Sequence, residues 1–181
     1  LSISHNGEIN TFRGNINCMK VHEQEMDSNL FEDIENLKPV IQPGTSDSAA
    51  LDNVFELLNI SGQPAPLAKL MLVPDAWSKK SKVLSKDHQQ LFNFLNSTME
   101  PWDGPAAIAG TDNEWVIAAN DRNGLRPLRY TITKDKFLFA GSETGMIKLN
   151  EKKILAKGRL GPGEIIGVRI EKGKLFTNEK I

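Results

Sequence analysis

Cysteine is almost missing from this chain. Cys18 is the only one in 181 residues, so no internal disulfide can form and no cysteine-rich metal spacing exists. A surplus of charge is missing too: 22 Lys and Arg against 23 Asp and Glu leave a formal net charge of -1, and the basic residues form no long run. That removes the electrostatic footprint of a nucleic-acid binder. No apolar stretch approaches the roughly 20 residues that span a bilayer, and the first residues lack the charged-then-apolar order of a secretion signal. Neither a membrane nor nucleic acid is therefore an expected partner. His5, His22 and His88 have no metal-ligand spacing, so no metal site is expected. Arg159-Leu160-Gly161-Pro162-Gly163-Glu164 is glycine-rich but lacks the lysine and spacing of a phosphate loop. Internal repeats and low-complexity segments are absent as well. With 39% hydrophobic and 25% charged residues, the remaining reading is one soluble globular domain over 1–181. A reducing cytoplasm suits its cysteine usage, or a plastid if a transit segment has been lost.

What is present falls into two halves. Leu1-Ser2-Ile3-Ser4 alternates as a half-buried strand and is expected to stop at Asn6-Gly7. Beyond it, Ile16, Met19 and Val21 lie on one side of a helical stretch, and the Glu23 to Asp27 run reads as its solvated face. Leu30, Phe31, Ile34 and Leu37 continue that spacing until Pro39 and Pro43-Gly44 break it. A second helix, capped by Ser46, Asp47 or Ser48, carries Leu51, Val54, Phe55 and Leu58 inward and ends before Gly62. Pro64 to Val73 predicts a shorter helix with Leu67, Leu70 and Met71 inward, and Asp75 to Lys86 a surface loop or frayed helix. A last helix places Leu91, Phe92, Leu95 and Met99 on one face. From Pro101-Trp102-Asp103-Gly104-Pro105 onward the pattern turns to short strands: 106–109, 115–119, 128–133, 136–140, 164–170 and 174–177. Helices followed by antiparallel strands define an α+β domain.

Three stretches carry chemistry. Asn6 offers two amide N–H donors, and Gly7 lets a carbonyl approach its own N–H without meeting a Cβ, so the pair suits an oxyanion. Asn-Gly is equally the strongest short hairpin-turn signal. Asp47 reads as a helix cap or first-turn acid that suits the helix dipole. In Asp121-Arg122-Asn123-Gly124-Leu125-Arg126-Pro127, Asn123-Gly124 makes a turn, and Asp121 with an arginine can form an ion pair that fixes the loop. Cys18 sits in an ordinary amphipathic stretch, where a free cysteine serves as a small hydrophobe rather than a nucleophile.

The run His5-Asn6-Gly7-Glu8-Ile9-Asn10-Thr11-Phe12-Arg13-Gly14-Asn15 closely resembles a signature of the class II glutamine amidotransferase domain of the glutamate synthase large subunit. The Asp121-to-Tyr130 stretch, Gly141-Ser142-Glu143-Thr144 and Trp102-Asp103-Gly104-Pro105 are similar to further segments of that family. The resemblance implies an N-terminal-nucleophile hydrolase fold, a four-layer αββα sandwich, here incomplete. It implies that Asn6 and Gly7 form the oxyanion hole, that Asp47 binds the α-amino group of glutamine, and that His5, Asp121, Asn123, Gly124 and Arg126 support them. It also implies a catalytic cysteine at a mature N-terminus. The chain begins at Leu1, so it is expected to be the C-terminal part of the domain, inactive alone, with the nucleophile and the arginine for the substrate carboxylate upstream. The complete enzyme would hydrolyse glutamine to glutamate and pass the ammonia to 2-oxoglutarate. FMN, an iron-sulfur cluster and an electron source, either a small subunit or ferredoxin, would belong to its other domains, and this fragment would hold no cofactor. Two other functions compete with this one: a different class II amidotransferase, or a degenerate domain that binds glutamine or a partner without catalysis.

Overall fold

The computed structural model describes residues 1–75, 85–143 and 145–178. The loop or frayed helix expected between Asp75 and Lys86 is thus described only at its two ends, and Thr144 lies outside the described residues. Strands β1 (Ser2–Gly7), β2 (Ala106–Thr111), β3 (Trp115–Asn120), β7 (Ile165–Arg169) and β8 (Lys174–Phe176) form one antiparallel sheet in that order. A second antiparallel sheet has the order β5 (Leu138–Gly141), β4 (Arg129–Thr133), β6 (Ile154–Arg159).

Side-chain alternation assigns the layers. Ile3, Ala106, Ile108, Ile117, Ala119 and Ile165 are buried on one face of the first sheet, in a core shared with the helices. Their neighbours Ala107, Ala118 and Ile166 point the other way and pack with Leu128 and Leu160, Tyr130 of β4 and Leu138 of β5. The order is therefore helices, five-stranded sheet, three-stranded sheet, and the molecule is α+β as the sequence predicts. Among the described residues, no helix is long and apolar enough to cross a membrane.

The helical layer is built from α1 (Phe12–Glu25), α2 (Asp47–Ile60), α3 (Ala65–Leu72) and α4 (Lys86–Thr98). Helix α2 is the one that places the site. Ser46 caps it by accepting a hydrogen bond from the Ala49 N–H at 3.2 Å, and Ala50, Leu51, Val54, Phe55 and Leu58 recur along its buried face. Phe55 is fully buried among them, and α2 lies directly on β1.

Several expectations need correction. Helical spacing does not continue through Leu37: α1 ends at Glu25, and only a single 3-10 turn, Ile34–Leu37, follows, capped by Asp33. The Glu23 carboxylate is not left to solvent but accepts the Val40 N–H at 2.7 Å, while Val21, expected inward, is 60% exposed. In α3 the buried face is Ala65, Pro66, Ala68, Lys69 and Leu72, while Leu67, Leu70 and Met71, expected inward, are half-buried, with Met71 packed against the core. Two alanines allow close approach, and Lys69 is drawn inside because its ammonium donates to the Gly163 carbonyl at 2.8 Å. Finally, β6 was not legible as a strand. Its Ile-Leu-Ala-Lys-Gly-Arg has weak β-propensity, and pairing with β4 forms it. Gly158 is needed there, because a Cβ would lie 2.3 Å from the Tyr130 ring.

Candidate functional site

The end of β1 is the point where these layers meet. Asn6 pairs with Ala107 and Gly7 with Ala106 in the register of β1 and β2. The two ladder bonds just beyond, Glu8 N–H to Pro105 O at 3.0 Å and Asn10 N–H to Asp103 O at 2.8 Å, show that even-numbered amides face β2. Odd-numbered amides face the free edge. The Ile3 N–H donates there to Asp52 at 2.6 Å and the Ile9 N–H to Asp47 at 2.9 Å. Strand alternation points the His5 and Gly7 amides to the same edge, between those two carboxylates. Gly7 has a φ of +154°, and a Cβ on it would stand 1.7 Å from the Pro105 carbonyl oxygen, so this close approach requires glycine.

The Asn6 side chain leaves the opposite face of β1, toward the second sheet. Arg126 donates through Nε to the Asn6 carbonyl at 3.2 Å and through its terminal nitrogen to Asn6 Oδ1. Arginine has no acceptor, so this contact fixes which end of the amide is oxygen. Nδ2 is thereby turned outward, where it donates to Ser142 Oγ at 2.8 Å. A cavity of about 300 Å³ opens beside it, lined by Ser4, Asn6, Ala107, Ala109, Leu128 and Ser142 among others. A wider cavity of about 480 Å³, lined by Arg129, Phe139, Lys148 and Lys157 among others, lies on the far face of the second sheet and touches none of these groups.

Asp47 is the first residue of α2, and Ser46, not Asp47, is the N-cap. Its Oδ1 accepts the Ser48 N–H at 2.8 Å and its Oδ2 the Ile9 N–H, which lies two residues past Gly7. His5, with its side chain 1% exposed, places Nε2 2.9 Å from Ser48 Oγ and 3.5 Å from Asp47 Oδ2. His5 thus fixes the start of α2 against β1. Partial burial pushes the Asp47 carboxyl up, but the Ile9 and Ser48 amides and the nearby His5 outweigh it and hold its pKa below 3.8. Asp47 is ionised whenever a protein of this kind would be working.

Asp121 does not pair with an arginine side chain in the described contacts. It is buried, and its carboxylate accepts four backbone N–H groups: Ala106 at 3.2 Å, Asn123 at 3.1 Å, Leu125 at 3.0 Å and Arg126 at 3.0 Å. The loop is fixed by amides because a carboxylate at its start can reach every N–H that the Asn123-Gly124 turn points inward. Gly124 makes that turn at φ +64° and closes it with an N–H to Asp121 O bond of 3.0 Å. Arg126 is freed for Asn6, a contact the motif alone did not reveal. Cys18 is half-buried on α1 and belongs to none of these contacts. The sequence reading also missed Ser142, Ser48, the buried Asn120 beside Asp121, and Lys69. A lone lysine within the apolar Ala65–Leu72 helix was the available signal for the last of these.

The Asn6 amide, the Gly7 N–H and the ionised Asp47 on the adjacent helix thus lie at one end of β1. The family model for class II glutamine amidotransferases matches residues 2–181, and the chain belongs to that family. It is 51% identical over 180 residues to the glutamate synthase [NADPH] large chain of Azospirillum brasilense, covering 99% of this chain and 12% of that protein. The glutamate synthase [NADH] of Saccharomyces cerevisiae is 43% identical over 181 residues, covering 99% of this chain and 8% of its own length. The chloroplastic ferredoxin-dependent glutamate synthase 2 of Arabidopsis thaliana is 40% identical over 182 residues, with 99% and 11% covered. Among solved structures, the glutamine phosphoribosylpyrophosphate amidotransferase of Bacillus subtilis overlaps 97% of this chain and 28% of its own, with a TM-score of 0.44 at 20% identity.

Proposed function

We propose that these residues form the oxyanion-donor and amino-group-binding part of a glutaminase domain in a glutamate synthase. The observation that carries this reading is the meeting, at one strand end, of the Asn6 and Gly7 donors with the ionised Asp47. A thiolate attacks the side-chain amide carbon of glutamine, and the oxygen that becomes negative is held by Asn6 Nδ2 and the Gly7 N–H. When the intermediate collapses, the C–N bond breaks, ammonia leaves with a proton, and water hydrolyses the remaining glutamyl thioester. Asp47 accepts the α-ammonium and so selects an amino acid over a simple amide. The ammonia then reaches 2-oxoglutarate in another part of the polypeptide, in the cytoplasm or a plastid, with electrons from a small subunit or ferredoxin.

An iron-sulfur cluster does not fit this chain's own residues. Cys18 is its one cysteine, and no group of three His, Cys, Asp or Glu converges among the described residues. The cluster and FMN are assigned to other segments, and no step here runs through them.

Two outcomes test the reading. The 181-residue polypeptide alone is expected to release no ammonia from glutamine, because its only thiol is on α1 away from Asn6. Measurable turnover would sink the assignment of roles. In the protein as its gene encodes it, Asp47→Asn is expected to raise KM for glutamine by about 10²-fold or more, the loss of a charge-assisted contact of about 1.5–3 kcal/mol plus a misfit to two amide donors. The wild-type pKa is depressed, so Asp47 gives its full contribution to stability above its unfolded value of 3.8 and loses it as the pH falls through the lower folded value. The Asn variant should lack that acid dependence in a melting series. Retained calorimetric affinity for glutamine in an inert protein would instead favour the non-catalytic binding function.

A further inference from the structure

Among the described residues, two charged side chains are buried, Lys69 and Asp121, and both residues contact Gly163, Lys69 through its ammonium and Asp121 through its backbone carbonyl. Lys69 Nζ donates to Gly163 O at 2.8 Å, and the Gly163 N–H donates to Asp121 O at 2.8 Å. A charge taken out of water alone is strongly unfavourable, and the carboxylates of Asp75 and Asp121 supply the opposite charge that favours the buried Lys69 ammonium. Asp121 carries its negative charge at the root of the loop that holds Arg126 on Asn6, and it also accepts the N–H of Ala106, the partner of Gly7. The chain of contacts runs without a gap from Lys69 on α3 to both oxyanion donors.

We infer that Lys69 is a positioning residue for the oxyanion hole, compensating Asp121 so that the 121–126 loop holds Arg126, and through it the Asn6 amide, in donor orientation. The inference rests on the glutaminase reading of Asn6 and Gly7. Burial pushes the Lys69 ammonium down to about 8, with Asp75 and Asp121 opposing the fall. Losing the ammonium removes the Gly163 contact and the positive charge that faces Asp121, leaving its carboxylate to the four loop amides alone. The loop then relaxes, Arg126 loses its seat, and the Asn6 amide is free to rotate. Preorganisation suffers more than substrate binding does, because Asp47 is anchored separately by β1 and α2.

The test is a double-mutant cycle on glutamine hydrolysis by the protein as its gene encodes it. Lys69→Met is expected to lower kcat by about 10–100-fold with KM changed less than about threefold, and Lys69→Gln, which keeps an N–H for Gly163 but no charge, to follow it. In an Arg126→Ala background, either Lys69 substitution is expected to cost less than about threefold more, because both act through one contact. Full kcat in a folded Lys69→Met protein overturns the inference, as do effects that simply multiply, since a merely structural lysine would act independently of Arg126. Should neither Lys69 variant fold, the wild-type kcat profile decides. An alkaline fall near the Lys69 value of about 8 that is absent from Arg126→Ala supports the coupling, and identical profiles overturn it. An unimpaired Asn6→Ala enzyme would instead mark failure of the oxyanion reading itself.

Discussion

Asn6→Ala is expected to lower kcat for glutamine hydrolysis by about 10²–10³ while KM stays within a few-fold. The donor is lost where charge develops, not where glutamine is first bound, so the ground state feels little of it. Two features of the site raise the expected loss toward the upper end. The amide is held by Arg126 at its oxygen, so Nδ2 is already aimed before substrate arrives. Its neighbour Gly7 cannot take over, because its amide is fixed on the free edge of β1 by the strand's own alternation. Steady-state ammonia release at saturating glutamine measures the effect. A kcat within threefold of wild type would remove Asn6 from the reaction.

Gly7→Ala carries the largest expected effect on the fold itself. The added Cβ would sit 1.7 Å from Pro105 O, 2.7 Å from its carbonyl carbon and 2.9 Å from the Ala106 Cα, all backbone atoms that no rotamer change can move. β1 must part from β2 at its end, breaking the Glu8 N–H bond to Pro105 and pulling on Ala106, which Asp121 holds. Forcing a side chain into this backbone region costs about 1–3 kcal/mol, and each displaced hydrogen bond about 1 more. A loss of at least about 3 kcal/mol is therefore expected in denaturant unfolding. Gly14→Ala is the matching control: it lies within α1 with open space around it, and alanine there should stabilise by about 0.5–1 kcal/mol. Equal stability of the Gly7 variant and wild type would mean that β1 does not pack on Pro105 as described.

Much of this was legible before any coordinates. The short apolar runs 106–109 and 115–119, bounded by turn residues, announced strands, and the helical spacing of Leu51, Val54, Phe55 and Leu58 announced α2. Asn6-Gly7 and Asp47 read locally as a turn and a cap, and the resemblance of the stretches around them to class II amidotransferases is what singled them out. What was illegible depended on distant partners. Nothing local marks Ile154–Arg159 as a strand before β4 lies beside it. Nothing near Lys69 in sequence shows the Gly163 carbonyl, 94 residues away, that makes its burial tolerable. Arg126 looked like part of a loop, since its contact with Asn6 spans 120 residues.

The Asp121 loop folds around an anion that the chain itself supplies. Four amides that could have gripped a phosphate or a substrate carboxylate are occupied from the moment of folding. Its conformational entropy is surrendered then, and not again when glutamine arrives. In the proposed reaction, binding therefore has little loop ordering to drive, and the interaction energy of the substrate stays available to the reacting amide.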